Sequence, residues 1–343
     1  MRSFLFILIC FLLCSCARRE IGRSLSEDFG AKQEIYAHDS VNLETYGILR
    51  PLEMVAGDDS LWIVDDSDVE SMLLLLTAQG KFVAKGVGLG NGPGEVLEVT
   101  SLHRIGGCTY VYDARSGQVC QVQRRDSVLL AAPLPLRLRL YDDVVPLSQG
   151  KALVLPLMGA GGSYMVVDEV GAALDSLTYY PEKPDGVSDL THALACVGTL
   201  TMGHDGMHFA RALVYDGGVD FFSLADASIT HISRYEQFGM DYGVVDAGHP
   251  VPTLSPTTRV GFSSLASSRG RFYALFSDEL AADNPMRTAY IVCAFSQAGK
   301  PLRQFQLDRN VSLISVSADD SVLYAVGDTG KEDESISLYL YSL

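Results

Sequence analysis

From Gly86 to Val96 the sequence reads GVGLGNGPGEV, and a run this rich in glycine can bare backbone amides to a phosphate. The spacing argues against that chemistry. A dinucleotide fingerprint needs a third glycine where this chain has Asn91, Pro93 or Glu95, depending on the frame, and no lysine stands where a Walker loop requires one. Glu95 and Glu98 also bring negative charge to the place where a phosphate wants cations or free amides. Asn91-Gly92-Pro93-Gly94 is instead strong turn chemistry, because glycine supplies positive φ and proline presets the bend.

Other groups invite metal or acid–base chemistry. His204 and His208, in HDGMH, have the i, i+4 spacing of a helical metal pair, but Asp205-Gly206 reads as a turn between strands. His192 and His249 fall on long connections, so a metal at the mouth of the fold would need loops to converge; the reading adopted is no metal site. Asp65, Asp66, Asp68 and Asp113 end apolar strands, where they are candidates for Ca²⁺ or ordinary turn formers. No G-x-S-x-G elbow is present, and no catalytic residue is assigned. Tyr242, His249, Arg259 and Arg287 combine aromatic, basic and forked donors suited to a polar or anionic partner. They are the candidate partner-binding residues, the alternative being that they pin loops to the rim.

The elements that would position these residues begin with an address. Arg2 is followed by SFLFILICFLLCSC, too short to span a bilayer but suited to a signal peptide. Leu13-Cys14-Ser15-Cys16 has the layout of a bacterial lipobox, so residues 1–15 read as a signal peptide, Cys16 as the lipidation site and 16–33 as a linker. The formal net charge is −16, which disfavours nucleic acid and contact with anionic lipid; the lipid itself must hold the protein to a membrane. Ala17 in place of aspartate favours the outer membrane, with the leaflet open. Beyond Cys16 the cysteines are Cys108, Cys120, Cys196 and Cys293, with no C-x-x-C pair. A Cys108–Cys120 bridge is open to an envelope protein, and isolated thiols are the simpler reading.

Self-similarity organises the rest, 34–343. Apolar strand, tight polar turn and second apolar strand recur six times, with turns in AGDDSLWIV, RIGGCTYVY, LSQGKALVL, MGHDGMHFA, SSRGRFYAL and SADDSVLYA. A third strand follows each pair, and five of these have a fourth. The last lacks it because the chain ends, and EIYAHDSVNLETYG (34–47) is available to supply it. Runs such as LWIV and MLLLL are apolar on successive residues, as strands buried on both faces must be. The expectation is an all-β, six-bladed propeller of four-stranded blades closed by an N-terminal strand, without convincing amphipathic helices.

The lipobox at Cys16, the strand LWIVDD and the stretch GLGNGPGE together resemble the TolB-like or NHL-like six-bladed propeller lipoproteins of Bacteroidetes. The resemblance implies the fold and an envelope location, and no reaction. The glycine run then carries the chain from the outer strand of blade one to the inner strand of blade two. Long connections at 179–193, 235–260, 277–289 and 327–335 would share one face of the ring, opposite the tight turns, and that face is the expected site for a protein, peptide or glycan partner. The competing expectation is a metal-dependent hydrolase or lyase at the axial mouth. Asp-Ser-aliphatic triplets at 39–41, 59–61, 126–128, 175–177 and 320–322 look like O-glycosylation acceptors of that group, or like turn formers ahead of strands.

Overall fold

A computed structural model describes residues 24–139, 141–157, 163–327 and 335–343. The signal segment with Cys16, and most of the 327–335 connection, lie outside the described residues. Helix α1 (Leu25–Phe29) and strands β1 (Gln33–Ile35) and β2 (Ala37–Asn42) come first. Antiparallel four-stranded units follow. The first is β3 (Pro51–Ala56), β4 (Ser60–Asp65), β5 (Leu73–Thr77) and β6 (Phe82–Gly86). The second is β7 (Val99–Ile105), β8 (Cys108–Asp113), β9 (Gln118–Arg125) and β10 (Val128–Arg137). The third is β11 (Tyr141–Pro146), β12 (Ala152–Pro156), β13 (Tyr164–Val167) and β14 (Ala173–Leu177). After helix α2 (Asp189–Ala195) come β15 (Gly198–Met202), β16 (His208–Leu213), β17 (Gly218–Ala225) and β18 (Ser228–Glu236). A hairpin of β19 (Gly243–Asp246) and β20 (Pro250–Thr253) precedes β21 (Phe262–Ser267), β22 (Arg271–Phe276), β23 (Ala289–Ser296) and β24 (Pro301–Val311). The chain ends in β25 (Leu313–Val316), β26 (Val322–Gly327) and β27 (Ser337–Ser342).

The first strand of each unit faces a common axis, and the units pack face to face in chain order. Each apolar cluster belongs to one such seam. Leu73 and Leu75 meet Val111 and Cys120; Tyr112 and Val119 meet Val154 and Val167; Tyr164 and Val166 meet Phe209 and Phe222. Phe221 meets Phe272 and Phe295, and Tyr273 and Leu275 meet Leu323 and Ala325. Leu338 and Tyr324 then pack on Leu61 and Leu74, bringing the last unit back onto the first. Burial on both faces explains why these strands are apolar on successive residues. The arrangement is that of a β-propeller.

β2 pairs antiparallel with β27, from Ala37 opposite Tyr341 to Asn42 opposite Ser337, and so supplies the strand missing from the last unit. β1 adds a parallel strand outside β24, a pairing the sequence did not suggest. The glycine run links β6 to β7, as expected. Gly90 N–H donates to Val96 O, Gly92 N–H to Glu95 Oε2 at 2.7 Å, and Gly94 takes φ +88°. Gly86 has a specific steric role: a Cβ there would sit 2.3 Å from Leu129 O, where β6 pairs with β10 in parallel. That pairing joins the first two units edge to edge. The helices are short, α1 and α2 being capped by Ser24 and Ser188, and sequence reading did not pick them out. The 235–260 connection also contains a hairpin. Among the described residues no helix is long and apolar enough to cross a membrane. Cys108, Cys120, Cys196 and Cys293 are all free thiols.

Candidate functional site: the long-loop face and the axial channel

The tight turns lie at one end of the strands and the long connections at the other. The turns close on themselves: Asp205 accepts from the N–H groups of Met207 and His208 and pairs with His208 Nδ1 at 2.7 Å. His208 is thus spent on its own turn. The long connections instead hold one another. Tyr242 Oη lies 2.9 Å from His192 Nδ1, and Thr191 Oγ1 donates to Pro250 O. Arg259 pairs with Asp278 at 2.8 Å, while Ala281 N–H donates to Thr258 O. Arg287 is exposed, with its guanidinium 5.4 Å from the Tyr215 ring centre. His249 is exposed at the hairpin tip, joined only through its carbonyl to Ala247 N–H. The four candidate residues therefore share a face but not a pocket: Tyr242 and Arg259 bind loop to loop, and His249 and Arg287 stand at the surface.

His192 is buried, against its expected place at an open mouth, and its other nitrogen contacts Pro181 O. Burial holds its pKa below the usual value, the Pro181 carbonyl partly opposing. The strand-end carboxylates are similarly engaged. Asp65 accepts from Arg50 N–H and Ser67 Oγ, and Asp66 pairs with Arg50. Asp68 pairs with Lys85, and Asp113 accepts from Leu97 N–H and Ser116 Oγ. Among the described residues, no group of three or more His, Cys, Asp or Glu is placed to hold a metal ion.

The polar cluster that sequence reading missed lies on the axis. A cavity of about 480 Å³ runs between β3, β7, β11, β15, β21 and β25, reaching Arg104 and His204 at the turn end and α2 at the loop end. Inner strands have a free edge, and its N–H groups need acceptors. Side chains from the preceding unit supply them. Glu53 Oε2 accepts from Leu102 N–H at 2.5 Å, and Ser101 Oγ from Val144 N–H at 3.4 Å. Ser264 Oγ accepts from Ile314 N–H at 3.1 Å, and Ser315 Oγ from Ala56 N–H at 2.8 Å. Glu53, Ser101, Asp143 and Ser264 all follow a register shift at the start of their strand, which turns the third residue inward. That repeated polar third position, in PLEMVA, VTSLHRI, YDDVVP and FSSLAS, was the available sequence signal.

Within this ring His103 Nε2 and Asp143 Oδ1 are 2.7 Å apart. Burial lowers the basicity of His103, but Asp143 outweighs it and the pKa ends above the usual histidine value. Burial lifts Asp143, and His103 more than reverses that, so the pair is ionic. Glu53 is pushed up to about 8, chiefly by burial and then by Asp143, which keeps it protonated at neutral pH. The axis thus carries an ion pair beside a neutral carboxyl, a set able to bind polar groups and move protons.

No family model matches the chain, and no curated protein matches it. Solved structures similar to it include Raptor of Chaetomium thermophilum, at 13% identity and TM-score 0.48, covering 91% of this chain and 29% of that one. A candidate exported protein of Bacteroides fragilis gives 11% identity and TM-score 0.47, covering 91% of this chain and 99% of the other. The β-propeller domain of Myceliophteria thermophila Cps50 (Swd1) gives 10% identity and TM-score 0.45, covering 90% and 99%. At such identities and scores none of them transfers an activity to this chain.

Proposed function

We propose that this chain is a six-bladed propeller that serves as a non-catalytic binding or scaffold protein of the cell envelope, presenting its long-loop face to a protein or peptide partner. The observation that carries this reading is where apolar surface is left exposed. Leu190, Val197, Val244, Val245, Leu254 and Met286 all keep more than a third of their surface, and all lie on the three interlocked connections of that face. Exposed apolar side chains gathered on one rim of a soluble domain mark an interaction site more often than chance. Tyr242, His249, Arg259 and Arg287 would edge that surface with polar contacts. A glycan remains the second class of partner, favoured by the aromatic and guanidinium groups alone.

The lipobox supports anchoring through Cys16 and an outer-membrane location, and the motif resemblance supports kinship with TolB-like or NHL-like propeller lipoproteins. Residues 1–15, 16–33 and 34–343 are then leader, linker and propeller. Val245→Asp with Met286→Asp should abolish co-purification of the partner while the melting temperature stays within a few degrees of wild type. Unchanged partner recovery from that double variant overturns the reading.

A further inference from the structure

Around the axis, side chains of β3, β7, β21 and β25 cap the next inner strand; no described side chain of β15 caps β21, although those two strands pack closely, and none of β11 caps β15. Asp143 occupies the capping position there, but it turns back to His103, and no described side chain of β11 bonds to β15. The two strands barely touch, unlike the other neighbouring inner strands. The axial cavity extends into this opening, beneath the connection that carries α2, and is lined there by Asp142, Tyr180, Cys196, Thr199 and Arg211.

Arg211 is the unusual group. It is only 9% exposed, yet its guanidinium donates to Cys196 O at 2.8 Å and to the neutral Tyr164 hydroxyl, and it forms no ion pair among the described residues. Its Nε is buried without a partner, as is Thr199 Oγ1 beside it. The Tyr164 ring centre lies 5.5 Å away. With neutral hydrogen-bond partners, and Asp142 acting on it without a direct ion pair, the buried guanidinium is under-neutralised, and burying charge in that state is costly. Asp216 and Asp220, which might have served, are taken by Arg234. The planar fork of arginine matches a carboxylate through paired N–H donors.

We propose that the opening between β11 and β15 is a binding site for a small carboxylate-bearing molecule, held through its carboxylate by Arg211. Asp142 on the facing wall and the neutral carboxyl of Glu53 deeper in the channel would take hydroxyl groups of the same ligand. The cavity is within the size range of small-molecule sites. This site opens beside the exposed rim, sharing Val197 at its entrance, and its ligand does not depend on the rim's partner.

The test is thermal shift followed by calorimetry on the full folded chain, using acetate, L-lactate, D-gluconate and D-glucuronate. Acetamide, lactamide and D-glucose serve as uncharged controls. At least one carboxylate should bind saturably and raise the melting temperature, with no shift from the controls. Arg211→Gln should weaken that binding at least tenfold. Should Arg211→Gln not fold, Val197→Trp decides, because Val197 is half-exposed at the cavity wall and a Trp there fills the entrance without entering the core. It should weaken binding to the same degree. Met286→Asp should leave carboxylate binding unchanged, which separates failure of this site from failure of the partner surface. No response to any of the four carboxylates, an equal response to the amides, or binding unaltered in the variants that fold would overturn the proposal.

Discussion

The two ends of the strands are built differently. At the tight-turn end, each turn is held first by its own residues: Asp205 serves residues two and three positions away, and Ser317, Asp319 and Ser321 bond among themselves, while Gln297 to Asp205 and Arg269 to Asp58 join one turn to another. At the long-loop end bonds bridge distant segments, as from His192 to Tyr242 and from Thr191 to Pro250, and Arg234 ties Asp216 and Asp220 within one unit. The first end can be written into a short stretch of sequence. The second exists only once the loops interlock, and it gathers exposed Leu190, Val244, Val245, Leu254 and Met286 on one surface, whereas Val128, Val170 and Met207 are exposed on separate turns. A self-satisfied end suits a passive surface, whereas an end assembled from distant loops can present a shaped one.

Ring closure underlies both ends, so its loss should have the largest effect. Deleting residues 34–47 removes β2 and Leu43, uncovers the edge of β27 and opens the cluster around Leu338. The deletion should abolish the cooperative melt and cause aggregation, checked by calorimetry and light scattering. Next comes the contrast between the ends themselves. Arg234 is 13% exposed and holds Asp216 and Asp220, which are nearly sealed from solvent. Arg234→Ala strands two buried carboxylates and should cost ~3–5 kcal/mol in denaturant unfolding. Asp205→Ala, its counterpart at the turn end, loses the bonds of its own turn and one from Gln297, strands no buried charge, and should cost about 1 kcal/mol. Similar losses for both would erase the distinction.

The axis offers a pH test. The folded pKa of Glu53 is about 8, against an ordinary 4.5. Below pH 4.5 both folded and unfolded chains hold the proton; between 4.5 and 8 the unfolded chain releases it while the folded chain keeps it. Glu53 therefore makes stability fall as pH rises through that window, levelling off above it. Glu53→Gln, which retains an acceptor for Leu102 N–H, should gain on wild type by ~1–3 kcal/mol at pH 8 and by nothing at pH 4. Parallel stability–pH curves would contradict the assignment. The smallest effect belongs to the exposed rim. Arg259→Ala with Arg287→Ala should change stability by less than about 1 kcal/mol, because both guanidinium groups reach solvent, while weakening partner capture.

The same contrast explains what the sequence disclosed. Repeated strand–turn–strand units, the closing strand from 34–47 and the role of the glycine run were all legible, because turn chemistry and two-sided burial are local signals. The parallel pairing of β6 with β10 was not, since nothing near Gly86 announces a second backbone 43 residues away at Leu129. Helix α2 escaped notice because seven residues give too short an amphipathic pattern. The axial set of Glu53, His103 and Asp143 was hidden for a related reason. Each residue sits in an apolar strand on its own, and only the cyclic packing brings the three together.

Site-specific photo-crosslinking in intact cells tests the central claim most directly. A photoreactive phenylalanine analogue is placed at Val245 or Met286 on the long-loop face, and at Val128 or Val170, exposed at the opposite end. The account predicts a discrete crosslinked partner from Val245 and Met286 and none from Val128 and Val170. Crosslinks confined to Val128 and Val170, or absent from all four positions, would contradict it.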